Sequence, residues 1–199
     1  MTRALVALIG ALYLLPGLAA DGDAAAGESK AAGCAACHGA DGNSPAGEFP
    51  NLAGQVRGYI ASQLAAFKSG ERANAIMGGL AAALSEQDMA DLDAFYSSQS
   101  PKVASITPEQ EAAALAGQRI YRGGYAEFNI PACMGCHGPA GHGISPAFPH
   151  LAGQHSQYIT SQLKAYRGGE RLNAMMQKIA YTLTDEQIEQ LATYLSGLN

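Results

Sequence analysis

Apart from one stretch near its start, the chain has no apolar run approaching the roughly 20 residues that a helix needs to cross a bilayer. It has no basic surplus either: Lys and Arg number 12 against 17 Asp and Glu, a net charge of −5 with His neutral. A nucleic-acid partner calls for a basic face, and this composition offers none. There is no cysteine to spare. All four fall in two pairs, Cys34 with Cys37 and Cys133 with Cys136. Neither pair follows a β-branched or aromatic run, where the CxxC of a disulfide oxidoreductase would end a strand. A zinc site shared by two pairs would bring them within about 20 residues. These are 99 apart.

The exception is the N-terminus. Arg3 precedes an apolar run from Ala4 to Leu15, then Pro16, Gly17, Leu18, Ala19 and Ala20. A positive start, a short apolar stretch and small residues after it have the form of a secretory signal peptide, too short for a membrane anchor. Residues 1–19 are therefore set apart from the fold, with cleavage expected after Ala19 or Ala20 and export to the periplasm.

What the chain does have is a pentapeptide used twice. Cys34-Ala35-Ala36-Cys37-His38 and Cys133-Met134-Gly135-Cys136-His137 both read CxxCH. This spacing lets two thioethers hold the edge of a porphyrin, with the adjacent histidine as an axial iron ligand. It predicts two covalently bound haem c groups.

The motifs belong to a duplication. Shifted by 99 positions, Phe49-Pro50-Asn51-Leu52-Ala53-Gly54-Gln55 falls on Phe148-Pro149-His150-Leu151-Ala152-Gly153-Gln154. In the same register Tyr59 meets Tyr158, and Arg72 meets Arg171. The period far exceeds that of stacking repeats, so two homologous domains are predicted: 20–100 and 108–199, joined by a polar linker over 101–107. Both read as helical. Asp23 to Cys37 is Ala-rich, and a helix over Tyr59 to Lys68 should end at Gly70. Ser85 with Asp88 and Thr184 with Gln187 mark the caps of the last helix in each half. Thr107-Pro108 opens another. Gly123 to Pro131 has no counterpart in the first half and reads as an inserted loop.

A sixth iron ligand would separate an electron carrier from a catalyst. Met77 and Met176 each stand 43 residues after the first cysteine of their motif. Met175 aligns with Ile76, so register assigns Met176 as ligand and Met175 as packing; Met89 and Met134 read as structural. Imidazole and thioether together would fill the coordination sphere, favour ferrous iron and leave no open site.

The two CxxCH motifs, the paired Phe-Pro-x-Leu-Ala-Gly-Gln segments and the paired Arg-x-Asn-Ala-x-Met segments make the chain resemble the two-domain, di-haem bacterial cytochromes c, above all the cytochrome c4 group. That resemblance implies an all-α protein of two tandem class I cytochrome c domains, related by an approximate two-fold axis with the haems near the interface. It also implies that Pro50 and Pro149 accept the ring N–H of His38 and His137 through their carbonyls, orienting the ligand. Gln55, Tyr59, Gln154 and Tyr158 are read equally as propionate partners or helix surface. Arg72 and Arg171 are expected to contact propionates or the ligand loops, and His142, His150 and His155 to be solvated surface.

Removing Arg3 takes the net charge from −5 to −6. From Asp21 to Ala104 there are 10 acidic and 5 basic residues; from Ser105 onward there are 7 and 6. The resulting dipole can orient the molecule in encounters. The function expected is a non-enzymatic carrier passing electrons between redox proteins, such as a cytochrome bc complex and a terminal oxidase. The alternative is the cytochrome subunit of a dehydrogenase, such as flavocytochrome sulfide dehydrogenase. No nucleic-acid partner and no transmembrane segment in the mature chain are expected.

Overall fold

A computed structural model describes residues 21–199; the predicted signal peptide, 1–19, lies outside the described residues. Ten α-helices follow in order: α1 (Ala24–Ala31), α2 (Ala35–His38), α3 (Tyr59–Ser69), α4 (Ala75–Ala82), α5 (Glu86–Ser98), α6 (Glu111–Gly123), α7 (Met134–His137), α8 (Ser156–Gly168), α9 (Ala174–Tyr181) and α10 (Asp185–Ser196). Among the described residues there is no sheet, only three isolated bridges.

The helix ends sit where local chemistry puts them. Ser85 and Thr184 form capping boxes with Asp88 and Gln187, closing the first turns of α5 and α10. Gly70 ends α3 at φ +81°, a left-handed conformation that costs glycine nothing. Thr107 and Pro108 start a 3-10 turn that runs straight into α6. The Ala-rich stretch to Cys37 is not one helix; it stops at Ala31 and restarts at Ala35, giving the motif its own short turn. The inserted loop carries a 3-10 turn over Ala126–Phe128, closed by a bridge between Tyr125 and Ile130.

Each half has its own core. In the first, α1 crosses α5, and α3 packs on α5 and α4; in the second, α6 crosses α10, and α8 packs on α10 and α9. The crossings are tight enough to demand glycine. A Cβ on Gly27 would lie 2.0 Å from the Asp91 carbonyl oxygen, and one on Gly117 the same distance from that of Gln190. The cores that close around these crossings include Leu92, Met89 and Tyr96 in one half and Ile188, Leu191 and Tyr121 in the other.

The linker is pinned rather than free. Lys102 donates its backbone N–H to Asn43 Oδ1 at 2.7 Å and its ammonium to Asp41 at 2.8 Å. Pro101 lies against Gly54 and Val103 against Gly153, so the connecting strand runs along the seam between the halves.

Candidate functional site

The chemistry is built outward from α2 and α7. Each short helix presents its cysteines on one turn and ends in the histidine. His38 and His137 are buried, 7% and 8% exposed. Nδ1 of His38 lies 2.9 Å from the Pro50 carbonyl oxygen, and Nδ1 of His137 lies 3.0 Å from that of Pro149. A carbonyl only accepts, so Nδ1 carries the hydrogen and Nε2 keeps its lone pair for a metal. Burial pushes both imidazoles below the usual histidine range, outweighing the proline carbonyls that pull the other way. Both rings are therefore neutral, as iron ligation requires. Phe49 and Phe148 steady the rings edge-on, with centroids 6.2 and 6.1 Å away.

The cysteines are half-buried and unpaired. Burial raises the Cys34 thiol and pushes the Cys133 thiol up to about 11. A redox dithiol needs the opposite shift, toward thiolate. Among the described residues no three His, Cys, Asp or Glu side chains converge as a metal cage. A buried imidazole, two cysteines on the same turn and a partly buried methionine in each half are residues that could hold a covalently attached haem. The residues fit that group.

The methionines stand on helices that the sequence pattern did not reveal. Asn74 and Asn173 cap α4 and α9, each accepting from the backbone N–H of the methionine three residues on, at 2.9 Å. Met77 is partly buried against the first core, and Met176 is half-buried. Met175 is 52% exposed. It is not core packing, as expected above, because the turn of α9 that points Met176 inward points its neighbour to solvent. Met89 and Met134 are structural, one buried and one packed against the second core.

The polar residues repeated in both halves form an interface. Gln55 is a clasp: its Oε1 accepts the His150 backbone N–H at 2.7 Å while its Nε2 donates to the His150 carbonyl at 3.2 Å. Gln154 makes the same pair with Asn51 at 2.8 and 2.9 Å. Asn51 Nδ2 donates to the Gly153 carbonyl, and His150 Nδ1 lies 3.0 Å from the Gly54 carbonyl. Every one of these bonds maps onto its partner by exchanging the halves, which is what an approximate two-fold axis produces. His150 and His155 are therefore not solvated surface; His155 Nε2 reaches the Ser44 carbonyl across the seam at 3.0 Å. His142 is exposed. The signal for His150 was present in its alignment with Asn51, since an amide N–H and an imidazole N–H can serve one acceptor.

Arg72 and Arg171 close a hydrogen-bonded ring across the same axis. Arg72 donates Nη1 to Gln63 Oε1 at 2.7 Å and Nη2 to Gln162 Oε1 and the Tyr158 hydroxyl at 2.8 Å. Arg171 donates Nη1 to Gln162 at 2.7 Å and Nη2 to Gln63 and the Tyr59 hydroxyl at 2.9 Å. Their backbones form an antiparallel bridge with each other. The guanidinium partners stand on α3 and α8, in both domains, and every acceptor in the ring is neutral.

A sequence profile of the cytochrome c family matches this chain twice, over residues 24–100 and 114–199. The chain is 45% identical over 204 residues to cytochrome c4 of Pseudomonas aeruginosa, covering all of both chains. It is 40% identical over 196 residues to a thiosulfate dehydrogenase electron acceptor of Thiomonas intermedia, covering 96% of this chain and 88% of that one. The crystal structure of reduced recombinant cytochrome c4 from Pseudomonas stutzeri superposes with a TM-score of 0.85 at 42% identity, covering 89% of this chain and 100% of that one.

Proposed function

The chain belongs to the cytochrome c family, as a di-haem electron-transfer protein of the cytochrome c4 kind, and from that premise we propose that it shuttles electrons in the periplasm between respiratory complexes. The donor envisaged is a cytochrome bc complex and the acceptor a terminal oxidase. The domains are 20–100 and 108–199, with 101–107 between them. Cys34 and Cys37 hold one haem and Cys133 and Cys136 the other. His38 with Met77, and His137 with Met176, would hold the two irons. When bound, the haem supplies an iron that cycles between ferric and ferrous.

The chain's own residues hold that cycle to electron transfer. Pro50 and Pro149 fix the imidazoles and make Nε2 more basic. A thioether as the second protein ligand would favour the ferrous state and leave a small oxidant no vacant position. The protein is accordingly a carrier and not an enzyme. The observation that carries the reading is the repeat of the whole His–Pro carbonyl unit, at 2.9 and 3.0 Å, in register with a half-buried methionine in each half. A second reading, electron acceptor of a dehydrogenase, is favoured by the likeness to the Thiomonas thiosulfate dehydrogenase acceptor.

The test combines spectra with turnover. The ferric protein should show the near-infrared sulfur-to-iron band, which Met176→Leu halves and Met175→Leu leaves intact; the reverse result would sink the ligand assignment. Ferrous protein should be reoxidised by membranes bearing a terminal oxidase at a rate that falls with salt. Reduction by a dehydrogenase but not by a bc complex would favour the second reading. Rapid carbon monoxide binding would count against both.

A further inference from the structure

Arg72 lies two residues before Asn74, the cap of the helix that carries Met77; Arg171 stands in the same relation to Asn173 and Met176. Within its own domain each loop is tied to the helix before it: the Arg72 N–H donates to the Ala66 carbonyl at 3.0 Å with its guanidinium over the Phe67 ring, and the Arg171 N–H donates to the Ala165 carbonyl at 3.1 Å with its guanidinium over Tyr166. The principal helix neighbour of α4 is α3 alone, and that of α9 is α8 alone. Ile76 and Leu80 on α4 are 64% and 50% exposed. Further holds come from the other side of the seam. Tyr158 and Gln162 on α8 take the Arg72 guanidinium, while Tyr59 and Gln63 on α3 take that of Arg171. The two loops also touch directly through their backbone bridge. Arg171 is 8% exposed, so its bonds are shielded from competing water.

We propose that Arg72 and Arg171 are positioning residues whose anchors are exchanged, so that each domain's methionine is held in place by the tyrosine of the opposite domain. The proposal rests on the reading of Met77 and Met176 as iron ligands. The geometry divides the labour. Gln63 and Gln162 each accept from both arginines, whereas Tyr158 serves only Arg72 and Tyr59 only Arg171. A tyrosine-to-phenylalanine change removes one hydroxyl acceptor from a charged donor and keeps the ring. Its effect should therefore appear in the domain that does not contain it.

The experiment is alkylation of the full-length holoprotein with bromoacetate, quantified methionine by methionine through peptide mass spectrometry. An iron-bound thioether is protected, and the exposed Met175 is the free standard in the same peptide region. In the unmodified protein Met175 should react while Met77 and Met176 do not. Tyr158→Phe should speed alkylation of Met77 about fivefold, the worth of one hydrogen bond, with Met176 unmoved. Tyr59→Phe should do the reverse, and Arg72→Lys, whose ammonium lacks the guanidinium fork, should repeat the Met77 effect. If each tyrosine change loosens the methionine of its own domain, or neither, the exchange is overturned. If Met77 or Met176 reacts as fast as Met175 in the unmodified protein, the ligand reading beneath it fails instead. Haem stoichiometry of two, checked by intact mass, certifies that each variant has folded and matured.

Discussion

In the first half a tyrosine, Tyr96 on α5, and a small residue, Ala31 on α1, are buried in the core at the helix crossing; in the second the tyrosine is Tyr121 on α6 and the smaller residue Leu195 on α10. Aligned position by position, these pairs look unrelated. At these two positions each crossing buries one tyrosine and one smaller residue, beside a second ring, Phe95 or Tyr194, so what is kept is the filled volume and not the helix that fills it. The exchange has a polar consequence. The Tyr121 hydroxyl donates to the Gly138 carbonyl at 2.6 Å, while that of Tyr96 is buried without an oxygen or nitrogen partner.

The same crossings differ in charge. Lys30 on α1 pairs with Asp88 and with the buried Asp91, and Asp93 spans to the start of α3, accepting from the N–H groups of Gly58, Ile60 and Ala61. Their aligned positions in the second half are Ile120, Gln187, Gln190 and Ala192. There α8 begins two residues earlier in register, at Ser156, and manages without a carboxylate. The first crossing is thus held partly by ion pairs and the second by apolar contact, and the carboxylates of the first add to the negative charge of its half.

The strongest way to break the pairing is to remove one cofactor. Cys133→Ser with Cys136→Ser should yield a protein carrying one haem, counted by intact mass, and should unfold the second half, because a domain of roughly 80 residues is marginal without added cohesion. The first half should keep its haem. Next in size come the crossings. Gly27→Ala and Gly117→Ala each set a Cβ against a carbonyl oxygen at 2.0 Å, and each should cost about 3 kcal/mol in denaturant unfolding. Equal losses would mark the crossings as equivalent. Asp93→Ala, which copies Ala192, should destabilise the first half by about 1 kcal/mol through the lost cap, seen as faster hydrogen exchange in α3 and none in α8.

The smallest effect separates the halves by pH. Lys30, together with the Asp23 backbone and Gln87, holds the Asp91 carboxyl down at about 2, and Lys30 with Ser85 holds Asp88 lower still. A depressed carboxyl stabilises the fold above its unfolded pKa, about 4, and that support is lost as pH falls through the folded value. The first half should therefore weaken between pH 4 and 2 more than the second, where the lowered carboxyls are the exposed Asp185, held by Arg167, and Glu109, held by Thr107. Lys30→Met should narrow the gap; an unchanged gap would take the ion pairs out of the account.

The haem motifs, the methionine register and the capping boxes were legible because each is written within a few residues, or at one fixed offset in two copies. The capped starts of α4 and α9 were not read, although Asn74 and Asn173 are good cap residues, because the repeat around them looked like a motif and not a helix start. The interface was opaque for another reason. Gln55 and Gln154 bind backbone groups about a hundred residues away, and a backbone carbonyl has no side-chain signature. Their repetition flagged them as special without naming their partners.

The clasp of Gln55 and Gln154 has a bearing on how such a molecule can arise. A face whose acceptors and donors meet their own counterparts is its own complement, so two separate copies of one domain could dock through it with no change of sequence. Joining them by a tether that lies along the seam replaces a concentration-dependent encounter with a local one. Once pairing no longer depends on two identical chains, either copy can drift, provided it still presents the required N–H. Histidine at 150 opposite asparagine at 51 is such drift, a substitution that preserves the bond while ending the identity.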